Sequence, residues 1–425
     1  MKFIIYNLGC KVNSYESNLM TEILEKEGFV LTNDVNLADI AIVNTCTVTN
    51  TADNKSLKTL RQIRRSNPGV ILIATGCLAQ VDREAIKEKA DVDIVIGNVG
   101  KSKIGEIIKE YLNTQNKIVD IKDIMTCPFE DMQINNFDKT RAFVKIQDGC
   151  NNYCSYCIIP YARGNVRSKK PENVINEIKE LIKNGHQEIV LAGIHTGHYG
   201  SEFKDYDFSD LLNDILKLNG LKRLRISSIE IVELTDKFLN ILENNKVLVD
   251  HLHIPLQAGS NEILKLMNRR YDLKFFEEKI AKIRKIRPEI SISTDVIVGF
   301  PHETEELFKE TIETVKRIDF SKIHVFPYSR RKGTKADLMD NQIDERIKKE
   351  RSRTLVQVSK ELEIKYMEKF LNREVEFIPE TYHEGFIFGH TGNYLSIKTN
   401  GTINDLNKSK GVKITKIEYP YCIAE

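Results

Sequence analysis

From residue 1 to about 100, short β-branched apolar runs alternate with amphipathic stretches. Phe3–Leu8, Asp39–Asn44 and Val70–Thr75 read as strands, each followed by a helical pattern at Ser14–Glu27, Asp53–Ser66 and Gln80–Ala90, and a fourth run occupies Asp93–Ile96. Strands alternating with helices at this interval predict a parallel, doubly wound sheet. A stretch without clear periodicity, residues 113–138, separates this unit (1–112) from a second βα series and reads as a linker. In that series the strands are Ala142–Gln147, Glu188–Ala192, Arg223–Ser227, His251–Ile254, Ser291–Val298 and Lys322–Phe326, with helical stretches such as Glu172–Asn184, Phe208–Leu218, Thr235–Asn244, Leu273–Arg287 and Glu303–Ile318 between them. Six βα units in a row predict a partial (β/α)6 barrel over 139–367, whose reactive end is the C-terminal end of its strands. Its last element is a charged helix from Asp344 to about Leu371, with Leu355, Val358, Leu362 and Tyr366 at helical spacing. Four short strands follow, Glu374–Ile378, Gly385–His390, Tyr394–Thr399 and Val412–Tyr419, and predict a small β-barrel over 368–425.

Composition excludes more than it selects. The 425 residues carry 63 Lys+Arg against 61 Asp+Glu, a net charge of +2, with 41% hydrophobic residues and no tryptophan. Fibrous and disordered classes are excluded, and no apolar run approaches the ~18 residues of a membrane helix. The first residues lack a long apolar core and a small-residue cleavage site, so a cytoplasmic protein is expected. Near-neutral charge does not advertise a nucleic-acid binder, whose usual footprint is a strongly basic domain.

The cysteines change the picture. In a reducing compartment eight cysteines are core residues or metal ligands more often than disulfides. Cys10, Cys46 and Cys77 each fall just past a predicted strand of the first unit, at the sheet edge where ligands of such folds sit. Buried core thiols are the competing reading for these three. Cys150, Cys154 and Cys157 form a C-x3-C-x2-C triplet after the first strand of the second series, with Tyr156 before the last cysteine. Zinc in a structural site wants four ligands, usually in paired C-x2-C units, and a fourth here would have to come from Cys127 or a histidine. Three cysteines suit an iron–sulfur cube with one iron left open. Cys127 and Cys422 suggest no role beyond spare thiols.

The triplet with its aromatic, after the first of six βα strands, resembles the radical S-adenosylmethionine enzymes. Further blocks resemble their methylthiotransferase branch: Asn7–Glu16, Val43–Val48, Thr75–Gln80, Ile158–Gly164, Arg225–Glu230, His253–Ser260 and Asp295–Pro301, with Gly389–Tyr394 similar to the C-terminal TRAM module of those enzymes. The Gly-Cys-Lys-Val-Asn start and Gly193–Gly197 look most like the type acting on N6-threonylcarbamoyladenosine at position 37 of tRNA. Relatives specific for isopentenyladenosine more often begin Gly-Cys-Gln-Met-Asn. The resemblance implies two [4Fe-4S] clusters, one on Cys150, Cys154 and Cys157 and an auxiliary one on Cys10, Cys46 and Cys77, with S-adenosylmethionine as radical source and methyl donor. It implies transfer of a 2-methylthio group to a tRNA partner, with no catalytic residue beyond the cluster ligands.

On that reading Gly193 would face the methionyl end of S-adenosylmethionine, Ser227, Ser228 and Glu230 its ribose or carboxylate, and Val296–Gly299, ending at Gly299, its adenine. His195 and His198 read as polar loop residues, and Tyr156 as packing against cluster or adenine. His302 stands where the family usually has glycine, which leaves the local turn in doubt. Arg163, Arg167, Lys169 and Lys170, with Arg330, Arg331, Lys332 and Lys335, read as solvated surface or as a phosphate-tracking rim. Residues 368–425 hold seven Lys+Arg against eight Asp+Glu, so RNA contact would fall to the face carrying Lys408, Lys410 and Lys413. The electron donor and the sulfur source are left open. The alternatives are the same chemistry on isopentenylated tRNA or a ribosomal protein, or a non-catalytic zinc protein that binds RNA.

Overall fold

A computed structural model describes residues 1–425. The first unit is a six-stranded parallel sheet of β1 (Lys2–Asn7), β2 (Val30–Leu31), β3 (Ile40–Thr45), β4 (Ile71–Gly76), β5 (Ile94–Ile96) and β6 (Ile118–Asp120), in the order β2-β1-β3-β4-β5-β6. β3 is buried along its whole length, as a strand covered by helices on both faces must be. The expected helix Gln80–Ala90 is two helices, Cys77–Val81 and Arg83–Ala90, because Asp82 leaves helical geometry and caps the second by accepting from Ala85 N at 3.1 Å.

The stretch expected as a linker begins inside this sheet, since Ile118–Asp120 pairs with β5 as its sixth strand. The residues that follow are strapped down. Tyr15 Oη lies 2.8 Å from Met132 O and 2.7 Å from Glu177 Oε1, and Glu22 accepts from the amides of Asn135 and Asn136 at 2.9 and 3.0 Å. The buried Met132 carbonyl must find a partner, and it and the exposed Asn135 and Asn136 amides are held by the N-terminal unit's helix.

All six expected barrel strands form. β7 (Arg141–Lys145), β10 (Glu188–Ala192) and β11 (Arg223–Ile226) make one parallel three-stranded sheet, and β12 (His251–His253), β13 (Ser291–Val298) and β14 (Lys322–Pro327) another. Between β7 and β10, β8 (Gln147–Asp148) and β9 (Arg167–Ser168) form a small antiparallel pair. The sheets meet at a seam bridged at Leu224↔Leu248, where Ile229 N also donates to His253 O at 3.0 Å. Leu355, Val358 and Leu362 of the long helix Glu345–Glu368 join the barrel core, while Tyr366 packs in the core of the C-terminal unit.

The C-terminal unit is a closed barrel of β15 (Glu374–His383), β16 (Phe386–Thr391), β17 (Ser396–Asn400), β18 (Lys410–Glu418) and β19 (Tyr421–Ala424). The fifth strand was not anticipated; it carries Cys422 into the core of this unit. Arginines on β7 and β11 dock the unit beneath the central barrel. Arg141 pairs with Glu380 at 2.9 Å, and Arg223 and Arg225 donate to the carbonyls of His390 and Gly392, each at 3.1 Å. No helix is long and apolar enough to cross a membrane.

Candidate active site

The first cysteine triplet is assembled by the turns at the ends of β1, β3 and β4. Cys10 caps the helix Lys11–Lys26, Cys46 follows β3, and Cys77 opens the helix after β4. β1 and β3 are the strands between which the connection reverses direction, the place where this architecture binds ligands. Gly76 has φ +99°, and a Cβ there would lie 2.6 Å from Thr45 O. Asn13 braces the other two turns, its Nδ2 donating to Asn44 Oδ1 at 3.1 Å and to Thr45 O at 3.0 Å. Burial pushes the Cys10 thiol up, and pushes that of Cys46 up to about 11.

The second triplet sits on the loop after β8. Gly149 at φ +76° starts this loop, where a Cβ would meet Asn165 O at 1.9 Å. Gln147 ties the loop to the next strand end, donating to the Gly149 carbonyl at 2.7 Å and accepting from His195 N at 2.7 Å. Burial lifts the Cys157 thiol to about 12, with Cys154 adding to the shift. Cys154 Sγ accepts from Arg269 Nη1 at 3.3 Å, and Cys150 Sγ lies 3.6 Å from His195 Nδ1.

All six cysteines line one cavity of about 740 Å³, which runs down the inside of the central barrel as far as the C-terminal unit. Six free thiols lining one cavity fit metal-bound clusters, because a metal supplies the charge that makes thiolates tenable. The polar setting of the first triplet fits too. Arg163, fully buried, donates from Nε to Cys77 Sγ at 3.3 Å and from Nη1 to Glu16 Oε1 at 2.8 Å. Glu16 also meets Lys101 at 2.6 Å and Lys145 at 2.8 Å, and Asp148 meets Lys145 at 2.6 Å and Arg167 at 3.7 Å. Two buried carboxylates thus face four buried cations. Burial, with the nearby Arg163 and Lys145, holds Lys101 below the ordinary lysine value despite Glu16 against it. An anionic cluster on Cys10, Cys46 and Cys77 would balance the surplus.

Arg163, Arg167 and Lys169 are therefore not a solvated rim, since all three are buried; Lys169 pairs with Glu177 at 2.7 Å and only Lys170 is exposed. In the second basic run Arg331 is buried against Asp53 at 2.6 Å, while Arg330, paired with Asp337 at 2.6 Å, and Lys332 and Lys335 are exposed. Loop arginines and lysines look alike in sequence whether they face water or a buried carboxylate.

Gly193, Ser227, Ser228, Glu230 and Tyr156 all line the cavity. Glu230 is ion-paired to Arg269, the residue that also donates to Cys154. Gly299 does not line it. Its φ of +71° serves a turn packed on the long helix, where a Cβ would lie 2.4 Å from Lys348 Cγ, and its amide donates to Glu303 Oε2 at 2.9 Å. His302 forms the doubtful turn itself, in the left-handed region at φ +69° with its amide on Asn341 O at 3.1 Å, outside the cavity.

His195 is not a solvent-facing loop residue. It is buried between Cys150 and Glu233 and stacks on His198 at 3.9 Å; burial opposes its charge, yet the bonds to Cys150 and Glu233 raise it to about 10. Arg269 was missed altogether, because nothing in Met267-Asn268-Arg269-Arg270 distinguishes a sulfur donor from a helix-end cation. At the cavity floor His251 and His253 bracket Ser293 Oγ at 3.1 and 3.0 Å, and burial and nearby Arg225 hold His251 well below the usual histidine value.

Comparison with known proteins agrees with this geometry. Residues 144–315 match the Radical SAM superfamily and residues 2–97 match the uncharacterized protein family UPF0004. The chain is 42% identical to the threonylcarbamoyladenosine tRNA methylthiotransferase MtaB of Bacillus subtilis (strain 168), over 98% of this chain and 94% of that protein. It is 38% identical to the MtaB protein of Aquifex aeolicus (strain VF5), covering 94% and 97%. It is 36% identical to the tRNA-2-methylthio-N(6)-dimethylallyladenosine synthase of Clostridium botulinum (strain Loch Maree / Type A3), covering 98% and 94%. Among solved structures, the radical S-adenosylmethionine methyltransferase TsrM from Kitasatospora setae shares the fold at TM-score 0.55 and 14% identity, covering 76% of this chain and 72% of that one. Near-full-length identity to these enzymes, with two cysteine triplets facing one cavity, makes the chain a member of the radical S-adenosylmethionine methylthiotransferase family.

Proposed function

We propose that the protein adds a 2-methylthio group to N6-threonylcarbamoyladenosine at position 37 of tRNA, acting in the cytoplasm. The observation that carries this reading is the single cavity shared by two cysteine triplets from different units, since a transfer from one cluster to a carbon activated at the other needs both within one enclosure. The 42% identity to a threonylcarbamoyladenosine enzyme, against 36% to a dimethylallyladenosine one, favours the threonylcarbamoyl substrate. Cys150, Cys154 and Cys157 would hold the radical-generating cluster, and Cys10, Cys46 and Cys77 the auxiliary one. When bound, the clusters and S-adenosylmethionine supply one-electron reduction, hydrogen abstraction from an inert aromatic carbon, sulfur and a methyl group.

The chain's own residues bind, orient and exclude water. Arg269 and His195 hold N–H groups toward Cys154 and Cys150, which stabilises negative charge on those sulfurs. Arg269 also fixes Glu230 at the cavity wall, where Ser227, Ser228 and Gly193 offer hydroxyls and backbone to the cofactor. Arg163, at the end of the short helix Ile159–Arg163 that follows one triplet, reaches Cys77 of the other and ties the two together. The C-terminal barrel, TRAM-like by sequence, would engage tRNA through exposed Lys408 and Lys413.

The test is nucleoside mass spectrometry of tRNA from a deletion strain and from the strain complemented with the gene. Loss and recovery of 2-methylthio-N6-threonylcarbamoyladenosine is expected. Loss of the isopentenylated mark instead would overturn the substrate assignment, and a colourless, iron-free protein purified anaerobically would overturn the chemistry.

A further inference from the structure

The cavity holds one cation that no protein group matches. Lys11 lines the wall between Cys10 and the C-terminal unit, half-buried, and its ammonium has neither an ion pair nor a hydrogen bond. Its electrostatic neighbours are Tyr394, Arg141, Arg225 and Cys10. The carboxylates that could have answered it are engaged elsewhere: Glu188 pairs with Arg225 at 2.8 Å and Glu380 with Arg141 at 2.9 Å. On the same wall His251 is 8% exposed and its Nδ1 is buried without any partner. An unanswered ammonium and an unanswered imidazole nitrogen on residues that line one cavity, near enough for the first to act on the charge of the second, point to a ligand that brings its own anion and a polar group.

We propose that Lys11, with His251 beside it, is the specificity-determining site for the carboxylate of the substrate's threonylcarbamoyl group. The inference rests on the threonylcarbamoyladenosine reading above and deepens it. An adenine ring is neutral, and of the two modified adenosines only the threonylcarbamoyl one carries a carboxylate, with a hydroxyl and a ureido group next to it. An isopentenyl group would leave Lys11 and His251 desolvated and unpaired, the arrangement by which a polar site rejects an analogue that lacks the matching group. A tRNA phosphate is the other anion that could pair with Lys11, and it would weaken all stem-loops alike when Lys11 is replaced.

The test uses the reconstituted holoprotein and three anticodon stem-loops that differ only at position 37, carrying threonylcarbamoyladenosine, isopentenyladenosine or adenosine. Wild type should bind the first most tightly. Lys11→Gln should weaken that complex by about 10- to 100-fold, the range for one charged hydrogen bond, and leave the adenosine complex within about twofold. Lys11→Arg should restore most of the preference. Iron content of each variant shows whether the neighbouring cysteines still hold their cluster. Equal weakening of all three stem-loops, as for a phosphate contact, would overturn the role of Lys11, and so would an unchanged preference in Lys11→Gln. Wild type that prefers the isopentenyl stem-loop would overturn the substrate reading itself, a result visible before any variant is made.

Discussion

Glu16 is the most exacting point at which to challenge the buried charge network. Its Oε1 lies 2.8 Å from both Lys145 and Arg163, and its Oε2 lies 2.6 Å from Lys101, with the three cations 0–2% exposed. Glu16→Gln keeps shape and volume but withdraws the charge, leaves Lys101 without a carboxylate and Lys145 and Arg163 to share Asp148, and turns an amide NH2 toward one of them. Breaking a buried pair by removing one partner costs about 3–5 kcal/mol. At roughly 2–4 °C per kcal/mol for a domain of 150–250 residues, Tm should fall by roughly 6–20 °C. The assay is thermal and urea unfolding of the holoprotein at pH 7, with iron content measured in parallel. The pH dependence has a definite sign. Burial alone would raise the Glu16 carboxyl, but Arg163, Lys101 and Lys145 outweigh it and hold the group well below the usual carboxylate value. Its contribution is therefore complete above the unfolded value of about 4.3 and is lost only as pH falls through the lower folded value. In the iron-free chain the gap between wild type and variant should stay constant from about pH 5 to 8. A variant within about 1 kcal/mol of wild type, or a gap that closes near pH 5, would refute the reasoning.

Further outcomes follow from the same geometry. Arg269→Met removes an N–H donor and a positive charge from Cys154, so the potential of the cluster on Cys150, Cys154 and Cys157 should fall, by roughly 60 mV for each 1.4 kcal/mol lost; an EPR-monitored redox titration showing no shift or a rise would contradict it. Gly76→Ala forces a side chain into a glycine-only conformation that costs of order 1–3 kcal/mol, in addition to the 2.6 Å approach to Thr45 O. Its urea midpoint should drop and its iron should fall from about eight toward about four per chain, with the second triplet's cluster retained. Lys408→Glu with Lys413→Glu reverses two exposed charges of the C-terminal barrel and should lower the log–log salt slope of tRNA binding by about two; an unchanged slope would remove that face from the interface.

The parallel series and the strand-end position of Cys10, Cys46 and Cys77 were legible because apolar runs of five or six residues with helices between them allow few topologies. What escaped was short or long-range. β2 is two exposed residues and β6 is three, too brief for any periodicity. Arg163 ends a five-residue helix and His195 follows a strand, in stretches whose sequence suits a wet surface, and only the fold brings Glu16, from a helix 147 residues earlier, against Arg163. Gly299, which the family resemblance sets beside the adenine, lies outside the cavity in a turn packed on the long helix, a placement that strand-end position alone does not reveal. Arg269 carried no local signal, since its meaning lies in Cys154, 115 residues away. Lys11 was visible within a motif, but its lack of a partner is a property of the assembled cavity.

The arginine that touches Cys77 has a consequence for how such proteins can be recombined. Arg163 belongs to the radical-enzyme unit, while Glu16, Asn13 and Cys77 belong to the N-terminal one. A chimera that joins the N-terminal unit of one relative to the barrel of another would inherit half of a buried charge pattern from each parent. Unless Glu16, Lys101, Lys145, Asp148 and Arg163 travel together, the hybrid would enclose unmatched charge at the junction, so the workable crossover points lie beyond this group and the two units behave as one heritable block.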